Sequence, residues 1–163
     1  VVEDIVYEKM LLVSHRKFGL VPQEYREENS PDYPYELDPA KLQNLPFITP
    51  PPTNGLYANF QKMIGQYGIQ PSRTIVVDMM TTGLLMAEQG IGVQLISAPI
   101  LAEIPTEERR RKMDYSILPG FPGARRCSVS WRKETEDISL IRETIRLLKE
   151  EILPQQLYTE VIE

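Results

Sequence analysis

The segment from Thr74 to Ile96 constrains the fold more than any other part of this chain. Thr74-Ile-Val-Val77 is a short β-branched run, Asp78 to Glu88 has the texture of a helix, and Gly92-Val-Gln-Leu-Ile96 is again an apolar run suited to a buried strand. Gly90 and Gly92 stop the helix, with Gly90 where a left-handed C-cap falls. Strand, helix and strand in that order imply a right-handed parallel crossover, and so an α/β fold. In open sheets of this class ligands gather outside the carboxyl ends of the strands, at helix N-termini with free backbone donors. Here that corner is Asp78 to Thr82.

The flanking segments supply further elements. Ile5 to Ser14 is a long apolar run that reads as a buried strand. Between Pro22 and Pro39 the chain carries four prolines, three tyrosines and many acids, too proline-rich for a helix or an inner strand. It reads as a surface loop, either a lid or a packing insert. Pro39 to Leu45 suits a short helix and Pro46 to Thr49 a short strand. Leu56, Phe60, Met63, Ile64 and Tyr67 then form one helical stripe, with Thr53 or Asn54 as N-cap and Gly68 as the stop. Leu101 to Met113 is charge-dense and predicts a short exposed helix with its acids near the positive end of the dipole. Tyr115 to Leu118 reads as a strand and Pro119 to Gly123 as a turn. Cys127, Val129 and Trp131 then alternate with polar residues as in a half-buried strand. Asp137 to Leu153 predicts an amphipathic helix, with Ile138, Ile141, Ile145, Leu148 and Ile152 on one stripe and Pro154 after it.

Bulk properties narrow the function. The chain has 163 residues, enough for one core or for one lobe and pieces of a second. A net charge of -5 argues against these residues gripping a phosphate backbone themselves. No apolar run approaches the ~20 residues that cross a bilayer, so no membrane role is expected. A lone cysteine, Cys127, forms no internal disulfide, and a cytoplasmic home is the simpler expectation. His15 is the only histidine, which removes His-rich metal chemistry. No phosphate loop or dinucleotide fingerprint occurs, so neither a metal nor a cofactor is expected.

Several motifs together carry a family resemblance. Ala87-Glu-Gln-Gly-Ile-Gly-Val93, followed by Ser97-Ala-Pro99, comes after Val6-Tyr-Glu-Lys-Met-Leu-Leu-Val13 with His15 and after Leu42-Gln-Asn-Leu-Pro-Phe-Ile48. Arg126-Cys-Ser-Val-Ser-Trp-Arg132 follows before a last helix. In this order and spacing the chain resembles the effector-binding domain of LysR-type transcriptional regulators along nearly its whole length. It departs from the pattern at Arg16, where the family has a proline after the histidine, and in its longer proline-rich loop. The resemblance implies a two-lobed fold like that of type 2 periplasmic binding proteins, its second lobe nearly complete and its first lobe partial. On that picture residues 1–36 are part of the first lobe and a hinge loop, 37–133 the second lobe, and 134–163 the return helix and tail. It also implies a small-molecule effector and a homo-oligomer, a dimer or tetramer in the full-length protein. DNA would be reached only through an N-terminal domain that is not in these residues.

The expected site residues are Thr49, Thr53 and Asn54 at one helix mouth and Asp78, Met79, Met80 and Thr81 at the other. Hydroxyls and free N–H groups there suit a carboxylate or another small polar ligand. The same residue types also serve as plain N-caps, and methionines near a helix start also fill cores. In the resembled family the matching turns contact the effector. Asp78 at the mouth would repel an anionic effector unless a cation compensates, which leaves the ligand's charge open. No catalytic group is expected. Two rival readings remain: a transporter's solute-binding protein with the same two-lobe architecture, and a small α/β enzyme using Asp78 as a base.

Overall fold

One strand serves two sheets in succession in the computed structural model, which describes residues 1–103, 106–135 and 139–162. This strand, β1 (Val2–His15), is longer than the apolar run that announced it. Its first part, Val2 to Lys9, pairs antiparallel with β7 (Ala124–Ser130), and Val6 to Glu8 pair on the other side with β8 (Thr159–Val161). Its second part, from Met10 onward, pairs antiparallel with β5 (Val93–Ser97) and β6 (Met113–Ile117). The register against β7 breaks between Asp4 and Val6, which adds a local bend just before the change of partners.

The larger sheet runs β2-β6-β1-β5-β3-β4, where β2 is Tyr35–Glu36, β3 is Pro46–Thr49 and β4 is Arg73–Val76. Both β4 and β5 lie parallel to β3, one on each side, so the strand–helix–strand unit crosses over β3. Helix α1 (Gly55–Tyr67) follows β3, and helix α2 (Met80–Glu88) follows β4. Since Thr49 is level with Val76, both helices start from the same edge of the sheet.

Alternation along β1 sorts its side chains between two cores. Met10 and Leu12 join Phe47 of β3 and the buried Leu56, Phe60 and Met63 of α1. Leu11 and Val13 join Ile48 of β3 and Leu84 and Ala87 of α2 on the opposite face. Covering both faces explains why these strands read as continuous apolar runs rather than as alternating ones. Each such side chain taken fully out of water contributes about 1.5–3 kcal/mol. A third, small cluster of Ile5, Val6 and Leu153 belongs to the β7-β1-β8 sheet.

The proline-rich loop packs against the β6 edge. Its β2 is an edge strand, as the prolines require, and Val21, Pro31 and Leu37 are buried. The Asn29 side chain both accepts from the Tyr115 amide and donates to the Tyr115 carbonyl, each at 2.8 Å, in place of a neighbouring strand. The charge-dense segment gives one turn, α3 (Glu107–Arg110), whose Arg109 forks onto the buried Glu88 at the end of α2, with Nη2 2.6 Å from Oε2.

The last helix differs from its expected form. Asp137 and Ile138 lie outside the described residues; α4 covers Ser139–Leu147, continues as a wider π-turn through Leu148–Ile152, and ends in a tight turn at Leu153–Gln155. Pro154 has no N–H for the carbonyl of Glu150 and its ring crowds that turn, which accounts for the change of winding. Of the stripe, Ile141, Ile145 and Leu148 are half-buried and Ile152 is exposed.

Candidate functional site

The carboxyl ends of β3 and β4 meet the change of sheets in β1 at a cavity of about 230 Å³. Asn54 and Leu56 from the start of α1 and Met80 from the start of α2 form one side. Pro99 and Ile100, just beyond β5, form another. Glu8 of β1, Arg125 of β7 and Ser97 at the end of β5 complete it.

Asn54 is the N-cap of α1, its Oδ1 accepting from the Leu56 amide at 2.9 Å, while Gly68 closes the helix at φ +60°. Thr53 is exposed and caps nothing in α1. Thr49 is buried, its hydroxyl donating to the Pro50 carbonyl at 3.3 Å. At the second mouth Met79, not Asp78, occupies the N-cap position, and no side chain caps α2. Asp78 and Met79 are exposed and Thr81 is half-buried; none of the three borders the cavity. Of the seven residues expected from sequence, the cavity therefore gathers Asn54 and Met80.

The polar side of the cavity was not foreseen. The Ser97 hydroxyl donates to Glu8 Oε2 at 2.5 Å, and Arg125 donates to the same oxygen from Nε at 2.8 Å, with Nη2 in ion-pair contact 2.7 Å from it. Burial raises the Glu8 carboxyl, but the bonds from Ser97 and Arg125 outweigh it and hold the group below the usual carboxylate range. Glu8 and Arg125 are opposite residues of neighbouring strands, whereas Ser97 lies in the other sheet, level with Met10. One hydrogen bond thus ties the two sheets at the cavity wall. Nothing in the sequence singled out Glu8, since Glu3, Asp4 and Lys9 are charged in the same strand.

The remaining candidates have structural duties. His15 Nδ1 accepts from the Lys17 amide at 2.9 Å and caps a short 3-10 turn. Cys127 is half-buried, and burial pushes its thiol up, away from the reactive thiolate. Among the described residues no group of three metal-ligating side chains occurs, and no helix is long and apolar enough to cross a membrane. A second, wider concavity lies between the proline-rich loop and α3, lined by Arg16, Arg26, Arg110, Tyr115 and Tyr158. Beneath it Asp114 is fully buried, 3.5 Å from Arg16 and 3.9 Å from Arg26, and its carboxyl is raised because burial outweighs the two arginines.

The sequence matches the family model for the LysR substrate binding domain over residues 29–153. The chain belongs to the LysR substrate-binding family. It is the effector-sensing part of a transcriptional regulator, with the periplasmic-binding-protein-like fold that the motifs implied. Its family is regulatory rather than enzymatic. No curated protein matches the sequence. Among solved structures the MetR regulatory domain of N. meningitidis, 10% identical, superposes over 100% of this chain and 71% of that one with a TM-score of 0.71. The Synechocystis CcmR regulatory domain in complex with 2-PG is 11% identical over 93% of this chain and 68% of that one, at 0.63. Full-length CbnR complexed with its target DNA is 19% identical over 93% of this chain and 49% of that one, at 0.62. At such identities the likeness is one of fold.

Proposed function

We propose that this LysR domain senses its effector at the cavity where β1 changes sheets, and that the signal is a shift in how its two sheets are held. The observation that carries this reading is the convergence of two helix N-termini, on neighbouring parallel strands, with the crossing strands β1 and β7 at one concave site. The second lobe is then residues 10–123, and residues 1–9 with 124–163 are part of the first. These boundaries are drawn from strand pairing, whereas the division at 37 and 133 is the one the family resemblance implies. A ligand shifts such a two-state arrangement only through its different affinity for the two states.

The full-length protein works in the cytoplasm as a homo-oligomer and reaches DNA through a domain outside these residues. No reaction is catalysed. A small molecule, as 2-PG is in the CcmR complex, is the class of ligand the site would take. The reading is tested by fluorescence anisotropy of the full-length regulator on its promoter DNA across pools of small metabolites. Each active compound is then titrated into this chain by calorimetry. The expected result is saturable binding of the active compound to the chain. An active compound that never binds the chain would place sensing elsewhere and overturn the reading.

A further inference from the structure

We propose that the cavity takes a small carboxylate with an apolar body, that Arg125 is its counter-ion, and that Glu8 is the resident carboxylate it displaces. This inference rests on the effector reading above.

The polar groups at the cavity favour negative charge. Arg125 brings a guanidinium whose side chain is 27% exposed. Asn54 already uses its Oδ1 on the Leu56 amide, which leaves its Nδ2 as the group offered to a ligand. Helix α2 starts beside the cavity at Met80, and no side-chain oxygen takes its first N–H groups. Against these stands one carboxylate, Glu8, already shared between Ser97 and Arg125. Asp78, which made the charge ambiguous in the sequence, is exposed and does not border the cavity.

The geometry of the pair leaves room for exchange. Arg125 donates Nε–H to one Glu8 oxygen and holds Nη2 2.7 Å from that same oxygen, so the two-oxygen fork that a carboxylate makes with guanidinium is not used. A ligand carboxylate able to make that fork gains a stronger contact than the one it replaces. Leu56, Met80, Pro99 and Ile100 provide the wall for its apolar body, and the cavity's about 230 Å³ limits that body to a few carbons or one ring. Displacing Glu8 also removes the acceptor of Ser97, so the ligand's charge is coupled to the tie between the sheets.

The test uses the 15N-labelled 163-residue chain with sodium benzoate, sodium butyrate, benzamide and benzylamine as probes. Benzoate and butyrate should shift the backbone amides of Leu56, Met80 and Ser97 and the Arg125 Nε saturably. Benzamide and benzylamine should bind at least about tenfold more weakly. Glu8→Gln, which removes the competing carboxylate, should tighten benzoate about tenfold, and Arg125→Lys, which keeps charge but loses the fork, should weaken it by about the same factor. Both variants keep their fold if the resonances of β3 and α1 stay in place. Benzylamine binding as well as benzoate at these residues, or weaker benzoate binding in Glu8→Gln, would overturn the charge assignment while leaving the effector reading standing. If no probe of any charge moves the cavity residues, the cavity and the effector reading fail together.

Discussion

Helices α1 and α4 carry the same kind of amphipathic stripe, yet only one of them is finished. Helix α1 buries Leu56, Phe60 and Met63 against a strand covered on both faces. Helix α4 buries no side chain among its described residues; Leu140 is 71% exposed, and β7 alternates between half-buried and exposed. The difference lies in the partners. Around β3 and β5 the chain supplies both covering layers, whereas the β7-β1-β8 sheet has only three described strands and one small cluster of its own. A hydrophobic stripe records what a helix is able to bury, and another element must be present for that burial to happen. The cavity residues of α1 and α2 therefore stand on a well-packed base, and Glu8 and Arg125 stand on the less covered sheet.

The sharpest way to break this comparison is to truncate one side chain in each half. Phe47→Ala, in the core beside Phe60 at a ring distance of 5.7 Å, should cost about 3–5 kcal/mol in urea unfolding. Ile145→Ala on α4 should cost below about 1 kcal/mol, because its side chain is only half-buried. Equal losses would show that both halves are packed alike.

A smaller effect separates the two helix mouths. Asn54→Ala removes the cap of α1 and should lower stability by about 1 kcal/mol. Asp78→Ala removes an exposed carboxylate that caps nothing and should stay within about 0.5 kcal/mol of the parent. A larger loss at Asp78 would contradict the helix start at Met80.

The smallest effects are slopes with pH, and they have opposite signs in the two halves. The Glu8 carboxyl is lowered in the folded state, so its contribution is present above the unfolded value and fades as pH falls through the folded one. Glu8→Gln should therefore destabilise at pH 7 and match the parent in acid. The Asp114 carboxyl is raised, so stability is fully present below the unfolded value and is lost as pH rises through the folded one. Asp114→Asn should be the more stable protein at pH 7, with the difference vanishing in acid. Urea titrations from pH 3 to 7 read both slopes, and a shared sign would remove the contrast.

What the sequence disclosed was local. Pro46 to Thr49, the cap at Asn54 and the stop at Gly68 depend on neighbours within a few residues, and all three were readable there. The change of sheets between Lys9 and Met10 was not, because it is decided by β5, β6, β7 and β8, which lie far away in the chain. Asp78 looked like a cap because aspartate favours that position, but the helix begins two residues later, where Met79 takes the extended conformation. The Glu8–Arg125 pair spans 117 residues, a separation at which residue type alone gives no sign of contact. The resemblance to LysR domains pointed to the two helix mouths, of which Asn54 and Met80 border the cavity, and the charged residues beside them came only from the folded chain.

Hydrogen exchange of the isolated chain, read residue by residue, tests the account most directly. Amides of β3, β5 and the Met10 to His15 part of β1 should exchange only on global unfolding, with α4 and β8 opening far more easily. Uniform protection across both sheets and α4 would contradict the division into a well-packed half and a less covered one.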